Sequence, residues 1–455
     1  MPRTSRTGQR RRWAIACIIS GLLLNQWTIG HFLSHDGSVD DPALKVAIGF
    51  LELLLIAAGV SLLLRRKPVS RRRLLFQGIV LLICVGMLEG GLRVADYVIE
   101  RRHPKPQPEY LRSPYREKPW AKELYDELDD LAYINRSFRY HPFLGWDAKP
   151  YEGEYVNVDA SGIRKTWNPD FPPDVEPQTI YVFGGSTTWG MGARDQDTLP
   201  SHLSRLLNEH GRPFVVRNYG DIAYTFTQEL INLILLLKAG HRPDYVIFYD
   251  GVNDVYAAYQ SGRPGSVIDC FHLPEKFNER MTPLRAFWIG VTGLLREHCM
   301  IYRYAGRLAG SSGRPADFPE VGATFSDEQL RDLAERVADD YATSHALLEP
   351  LSKAYGFDYL TFWQPVSLTE EHLLPEERLD IRTEDKALAA VHRYILGDLR
   401  ERELKNFWDV SDALRGRDTL YYLDYCHLTG QGNAAVARRM CEILETYIET
   451  PPQRP

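Results

Sequence analysis

Four short segments of this 455-residue chain carry residue types that together could perform acyl transfer. In Phe183-Gly-Gly-Ser-Thr-Thr, Ser186 follows two glycines at the end of an apolar run, where a hydroxyl can project from a tight turn. Arg217-Asn-Tyr-Gly-Asp contains Asn218 and Gly220, and Tyr249-Asp-Gly-Val-Asn-Asp contains Asn253 and Asp254. Leu423-Asp-Tyr-Cys-His supplies Asp424 and His427. A serine hydroxyl at its ordinary pKa is a weak nucleophile and needs a neighbouring base. His427 is the candidate base, and Asp424, three residues earlier, can engage the other imidazole nitrogen and fix the tautomer. The oxyanion formed on attack needs donors held in place. The backbone N–H groups of Ser186 and Gly220 and the side-chain amide of Asn253 are the candidates. Singly, each feature has an ordinary explanation as a turn, a helix cap or a chance pair. In combination they fall at strand ends in one consistent order.

The elements that would position these residues follow from apolar periodicity. The runs Ile180–Phe183, Phe214–Val216, Tyr245–Tyr249, Tyr359–Phe362 and Phe407–Val410 read as short buried strands. One helix starts near Thr198, has an apolar face of Leu199, Leu203, Leu206 and Leu207, and ends at Gly211. A second runs from Thr227 to Ala239, stopped by Gly240. A third is announced by the capping-box pair Ser326 and Gln329, and a last one by Val436, Met440, Ile443, Leu444 and Tyr447. Apolar strands alternating with helices predict an α/β fold, a doubly wound parallel sheet with its site at the carboxyl ends of the strands. Trp189, Tyr224 and Trp363 lie near those ends, either as core residues, the commoner role there, or as candidates for stacking on sugar rings.

Charge and hydropathy separate the first hundred residues from the rest. Net charge is −6 overall, but residues 1–102 hold 15 Lys plus Arg against 7 Asp plus Glu, leaving an acidic remainder. An acidic surface of that kind excludes nucleic acid as a partner. Three apolar stretches, Trp13–Leu33, Leu44–Leu64 and Leu74–Val98, are each expected to span a bilayer. The third is interrupted by Glu89, Arg93 and Asp96, with Glu89 and Arg93 spaced to pair on a helix. Basic residues cluster before the first stretch and between the second and third, whereas the loop between the first and second is acidic. The N-terminus is therefore expected in the cytoplasm and the later domain outside, periplasmic or at the cell surface. Residues 101–128, with five prolines among many charges, read as a stiff solvated linker. Cys270, Cys299, Cys426 and Cys441 lie in the outward part, where disulfides can form, and no pairing is selected. No ligand spacing points to a metal.

The ordered set Ser186, Gly220, Asn253 and Asp424-x-x-His427 resembles the SGNH (GDSL-type) hydrolase superfamily over roughly residues 178–450, as a membrane-anchored member. The tail His427-Leu-Thr-Gly-Gln-Gly-Asn is similar to that family's continuation into its last helix. The resemblance implies a flavodoxin-like three-layer α/β/α fold and a Ser-His-Asp esterase mechanism with no metal and no cofactor. It implies Ser186 as nucleophile and N–H donor, Gly220 and Asn253 as further oxyanion donors, and Asp424 and His427 as the rest of the triad. Two positions depart from the pattern: Gly185 stands where the name motif has Asp, and Ala223 where a second glycine often follows Gly220. The segment ending at Arg164 is similar to one preceding the hydrolase core in anchored members, and places Arg164 either against substrate or against a turn.

The expected organisation is a membrane anchor over 1–100, a linker and extension over 101–177 and a hydrolase-like domain over 178–455. The region 255–325 is either a lid or substrate wall, or a surface insertion. The expected activity is that of a membrane-anchored extracytoplasmic serine esterase removing small acyl groups, acetyl above all, from a carbohydrate. The rivals are an O-acyltransferase working on polysaccharide with a membrane partner, a lipid esterase, and a catalytically silent binding protein of the same fold.

Overall fold

The computed structural model describes residues 6–26, 28, 42–64, 71–102, 108–132, 138–209, 211–268, 291, 294–295, 298–308, 320–370, 373–375, 377, 385–415 and 419–449. The chain divides into two compact units, one of residues 1–106 and 271–317, the other of 107–270 and 318–455.

Early in the second unit lies a helix, Ala121–Ala132, most of it in the stretch read from sequence as solvated linker. Ala121, Leu124, Tyr125, Leu128 and Leu131 recur at helical spacing and are all buried, so this stretch has an apolar face that the proline-rich residues before it lack. Two small antiparallel hairpins follow. Strands β1 (Phe138–His141) and β2 (Gly145–Ala148) form the first, and β3 (Tyr151–Glu152) and β4 (Asn157–Val158) the second. The Glu127 carboxylate ties the helix to the second hairpin by accepting the N–H groups of Glu154 (2.7 Å) and Val156 (2.9 Å).

The five apolar runs form one parallel sheet of β5 (Gln178–Gly184), β6 (Phe214–Asn218), β7 (Tyr245–Asp250), β8 (Asp358–Trp363) and β9 (Phe407–Asp409). Its order is β6-β5-β7-β8-β9, the 2-1-3-4-5 arrangement of flavodoxin-like sheets, with the switch point between β5 and β7. Side chains alternate across it. Ile180 and Val182 of β5 pack with the helices Leu199–Glu209 and Gly430–Glu449. Tyr181 and Phe183 pack on the other face, with Phe226–Lys238, Asp327–Ala346 and Lys386–Glu401. The expected capping box at Ser326 and Gln329 is present.

The first unit contains the helices Arg6–Leu23, Pro42–Leu64, Arg71–Arg102 and Met300–Leu308. Among the described residues one helical stretch, Leu75–Val98, is long and apolar enough to cross a membrane, rather than the three expected. The other two apolar segments are the shorter Ala14–Leu23 and Ile48–Ser61, and residues 29–41 lie outside the described ones. The Glu89–Arg93 pair forms, at 2.9 Å. Glu89 also accepts the N–H groups of Met300 and Ile301, each at 2.9 Å, and Asp96 accepts the Tyr304 hydroxyl at 3.2 Å. The charges that interrupt the third apolar stretch thus hold residues 298–304 of the long insertion. Cys299, Cys426 and Cys441 are free thiols, and Cys270 lies outside the described residues.

Asp254 follows Asn253 on the helix Val252–Ser261 and accepts the N–H of Phe226 at 3.1 Å. Burial pushes its carboxyl up to about 7, against the pull of that and other backbone N–H groups. The folded state therefore holds a proton that the unfolded chain has released above about pH 4, so this group's contribution to stability is fully present below that pH and gone by about pH 7. Asp254→Asn keeps the acceptor without the charge. In thermal melts the variant should gain on the parent as pH rises from about 4 to about 7 and hold a constant lead above that. A gap independent of pH would contradict the shift.

Candidate active site

Ser186 opens a single-turn helix, Ser186–Trp189, directly after β5. Both glycines before it are required by space. A Cβ on Gly184 would lie 2.1 Å from Thr188 Oγ1, and one on Gly185 would lie 2.0 Å from Asn253 Nδ2. At the departure position the Asn253 amide thus lies where a Gly185 side chain would begin, and it would have to move to admit one.

His427 is delivered by the turn before the last helix. The bridge between Tyr422 and Leu428 and the bond from Leu423 N–H to His427 O (2.8 Å) close that turn. The Asp424 carboxylate accepts the backbone N–H of His427 (2.7 Å) and of Cys426 (2.8 Å), and its other oxygen lies 2.5 Å from His427 Nδ1. His427 Nε2 lies 2.7 Å from Ser186 Oγ. Ser186, His427 and Asp424 thus form the hydrogen-bonded constellation of a serine hydrolase.

Burial on its own would depress the imidazolium, but the adjacent Asp424 charge and hydrogen bond outweigh it and hold His427 well above its usual value. For Asp424 the same contest ends below the usual carboxylate range, because His427 and two backbone N–H groups overcome desolvation. Asp424, Cys426 and His427 also bring three ligand-type atoms within 4.8 Å of one another. Burial pushes the Cys426 thiol up to about 11, so it stays protonated, and Asp424 is already engaged by three N–H groups. The donor set fits imidazole orientation better than metal ligation.

The oxyanion donors need one correction. The Gly220 N–H, expected to donate, is already bonded to Asn218 Oδ1 at 3.0 Å. Gly220 is required for a different reason: a Cβ there would meet Trp189 N at 2.5 Å. Among the described residues the N–H groups of Ser186 and Ala223 have no acceptor. Ala223 sits at φ +63°, the left-handed region that costs a residue with a Cβ roughly 1–2 kcal/mol. Asn253 uses one of its two amide hydrogens on Tyr224 O (2.6 Å) and keeps the other. Ala223, which sequence reasoning leaves out, thus has an N–H free to donate, and its one sequence signal is the substitution for a second glycine.

Three further expectations resolve. Trp189, Tyr224 and Trp363 are at most 2% exposed, so they are core residues rather than sugar platforms. Arg164 is fully buried and braces the turn after the nucleophile: its guanidinium donates to Gly190 O (2.8 Å) and Ala193 O (2.7 Å), pairs with Asp195 (3.1 Å) and lies 4.1 Å over the Trp189 ring. Of the region 255–325, the described residues 291, 294–295 and 298–308 belong to the unit of N-terminal helices, whereas 255–268 and 320–325 belong to the unit that carries the triad.

No family model and no curated protein matches this chain. Solved structures do. An acetyl xylan esterase, AlAXEase, is similar at 13% identity and a TM-score of 0.31, over 58% of this chain and 99% of that one. Est24, a carbohydrate acetylesterase from Sinorhizobium meliloti, is similar at 10% identity and a TM-score of 0.30, over 59% and 99%. A member of the lipolytic G-D-S-L family from Veillonella parvula is similar at 12% identity and a TM-score of 0.30, over 59% and 98%. At such TM-scores the chemistry rests on the triad geometry and not on the likeness.

Carbethoxylation modifies neutral imidazole, so its pH dependence at His427, followed by peptide mass spectrometry, reads the pKa directly. The midpoint is expected above 6.5 in the parent. In Asp424→Asn, where the main opposition to burial is gone, it should fall well below the parent's. An unmoved midpoint would refute the pairing.

Proposed function

We propose that this protein is a membrane-anchored serine esterase that removes small acyl groups, acetyl above all, from a carbohydrate outside the cytoplasmic membrane. The observation that carries the chemistry is the unbroken chain from Ser186 Oγ through His427 to Asp424. His427 Nε2 takes the proton as Ser186 Oγ attacks the ester carbonyl, and Asp424 stabilises the imidazolium that results. The N–H groups of Ser186 and Ala223 and the second amide hydrogen of Asn253 receive the oxyanion. His427 then protonates the departing alcohol oxygen, and water repeats the sequence to release the acid and free Ser186.

Anchoring is read from Leu75–Val98, supported by the shorter apolar helices before it, and the outward placement from the basic segments that flank them. The carbohydrate substrate is the reading that joins an outward-facing esterase to the family resemblance.

The test is hydrolysis of p-nitrophenyl esters of two to eight carbons by the full-length chain. Turnover should be greatest on acetate, fall steeply with acyl length, and drop by at least about 10³-fold in Ser186→Ala. Turnover that rises with chain length would replace this reading with a lipid esterase. Slow hydrolysis accelerated by an added sugar would replace it with acyl transfer. Parental activity in Ser186→Ala would overturn the triad.

A further inference from the structure

The loop between β6 and the helix Phe226–Lys238 presents Ala223 in a conformation an alanine does not hold unaided. Glycine would adopt it without help, so something must impose it here. The sheet supplies part of the constraint, through Asn253 on Tyr224 O and Asp254 on the Phe226 N–H. The rest comes from outside the sheet. Trp146 Nε1–H donates to Ile222 O at 2.9 Å, Ala148 N–H donates to Asp221 Oδ2 at 3.1 Å, and the Tyr224 hydroxyl donates to Trp146 O. One turn further on, Gln228 Nε2–H donates to Leu144 O at 2.7 Å, and the Gln228 side chain also closes the capping box that starts the helix. The Trp146 and Tyr224 rings meet edge-on at 6.1 Å. These bonds fall on residues 221, 222, 224 and 228, bracketing Ala223 on both sides. All of their partners lie in β2 or the turn leading into it.

We propose that the β1–β2 hairpin is a positioning element of the active site, which holds the 220–226 loop so that the strained Ala223 keeps its N–H free to donate to the oxyanion. The proposal rests on the esterase reading and deepens it. Among the described residues no hydrogen bond joins the hairpin to the triad. The bonds of Trp146, Ala148 and Tyr224 act by holding the loop to the hairpin, so loosening them should lower the chemical step and leave substrate binding nearly unchanged.

The experiment uses the full-length chain and p-nitrophenyl acetate. Trp146→Phe combined with Tyr224→Phe removes two of the three bonds that flank Ala223 and keeps an aromatic ring at each position. The expected kcat is about 10- to 100-fold lower with KM within about twofold, since small displacements of a positioned group cost that much. Adding Ala223→Gly to this double variant should recover kcat about fivefold or more without raising the melting temperature, because glycine needs no clamp to stay left-handed. Tyr224→Phe alone, the mildest change, should move kcat in the same direction by a smaller factor. Parental kcat in the double variant would overturn the proposal. So would a loss that glycine leaves unrelieved, or one that tracks a lowered melting temperature, since either would reduce the hairpin to fold support. These outcomes are distinct from failure of the esterase reading, which appears as undiminished turnover in Ser186→Ala.

Discussion

The whole catalytic unit is arranged around one hydrogen bond, the 2.7 Å contact between Ser186 Oγ and His427 Nε2. Its two ends come from opposite ends of the fold, one from the tip of a central strand and one from the turn before the last helix. A hydroxyl is activated only while the imidazole stays in one tautomer and one orientation, and the half-buried Asp424 carboxylate secures both. Parallel-sheet topology makes the encounter possible. β5, β6 and β7 are neighbours, so the segments that leave them converge on one edge.

Backbone proximity is the second constraint. At Gly184, Gly185 and Gly220 a single added carbon would lie within 2.5 Å of another atom, so these glycines are fixed by packing as much as by chain direction. Gly185 is the most informative, because the Asn253 amide takes the space a side chain would fill. The nucleophile turn and the oxyanion side chain are thereby matched to each other.

Much of this was legible in the sequence. The five strands stand out as β-rich apolar runs, and the residues that end them carry chemistry-bearing side chains whose order was readable without coordinates. The triad members Ser186, Asp424 and His427 meet as their types require. Less was legible where function depends on which hydrogen bond a group has already made. Gly220 looked like a donor, but Asn218, two residues earlier, uses its N–H. Ala223 carries no chemical signature, since its qualification is a backbone angle. The extension before residue 178 was read largely as a connection because its strands are only two to four residues long and fall below any periodic signal. In the fold it is part of the catalytic unit: Arg164 braces the nucleophile turn, and the Tyr115 hydroxyl accepts the N–H of Gly430 at the start of the last helix.

The measurement that bears most directly on the account is covalent trapping of the nucleophile. A fluorophosphonate reacts with a serine made nucleophilic by a neighbouring base, and peptide mass mapping locates the adduct. The account predicts one adduct on Ser186 in the parent chain and none in His427→Ala. Labelling at another serine, or undiminished labelling of Ser186 without His427, would contradict it.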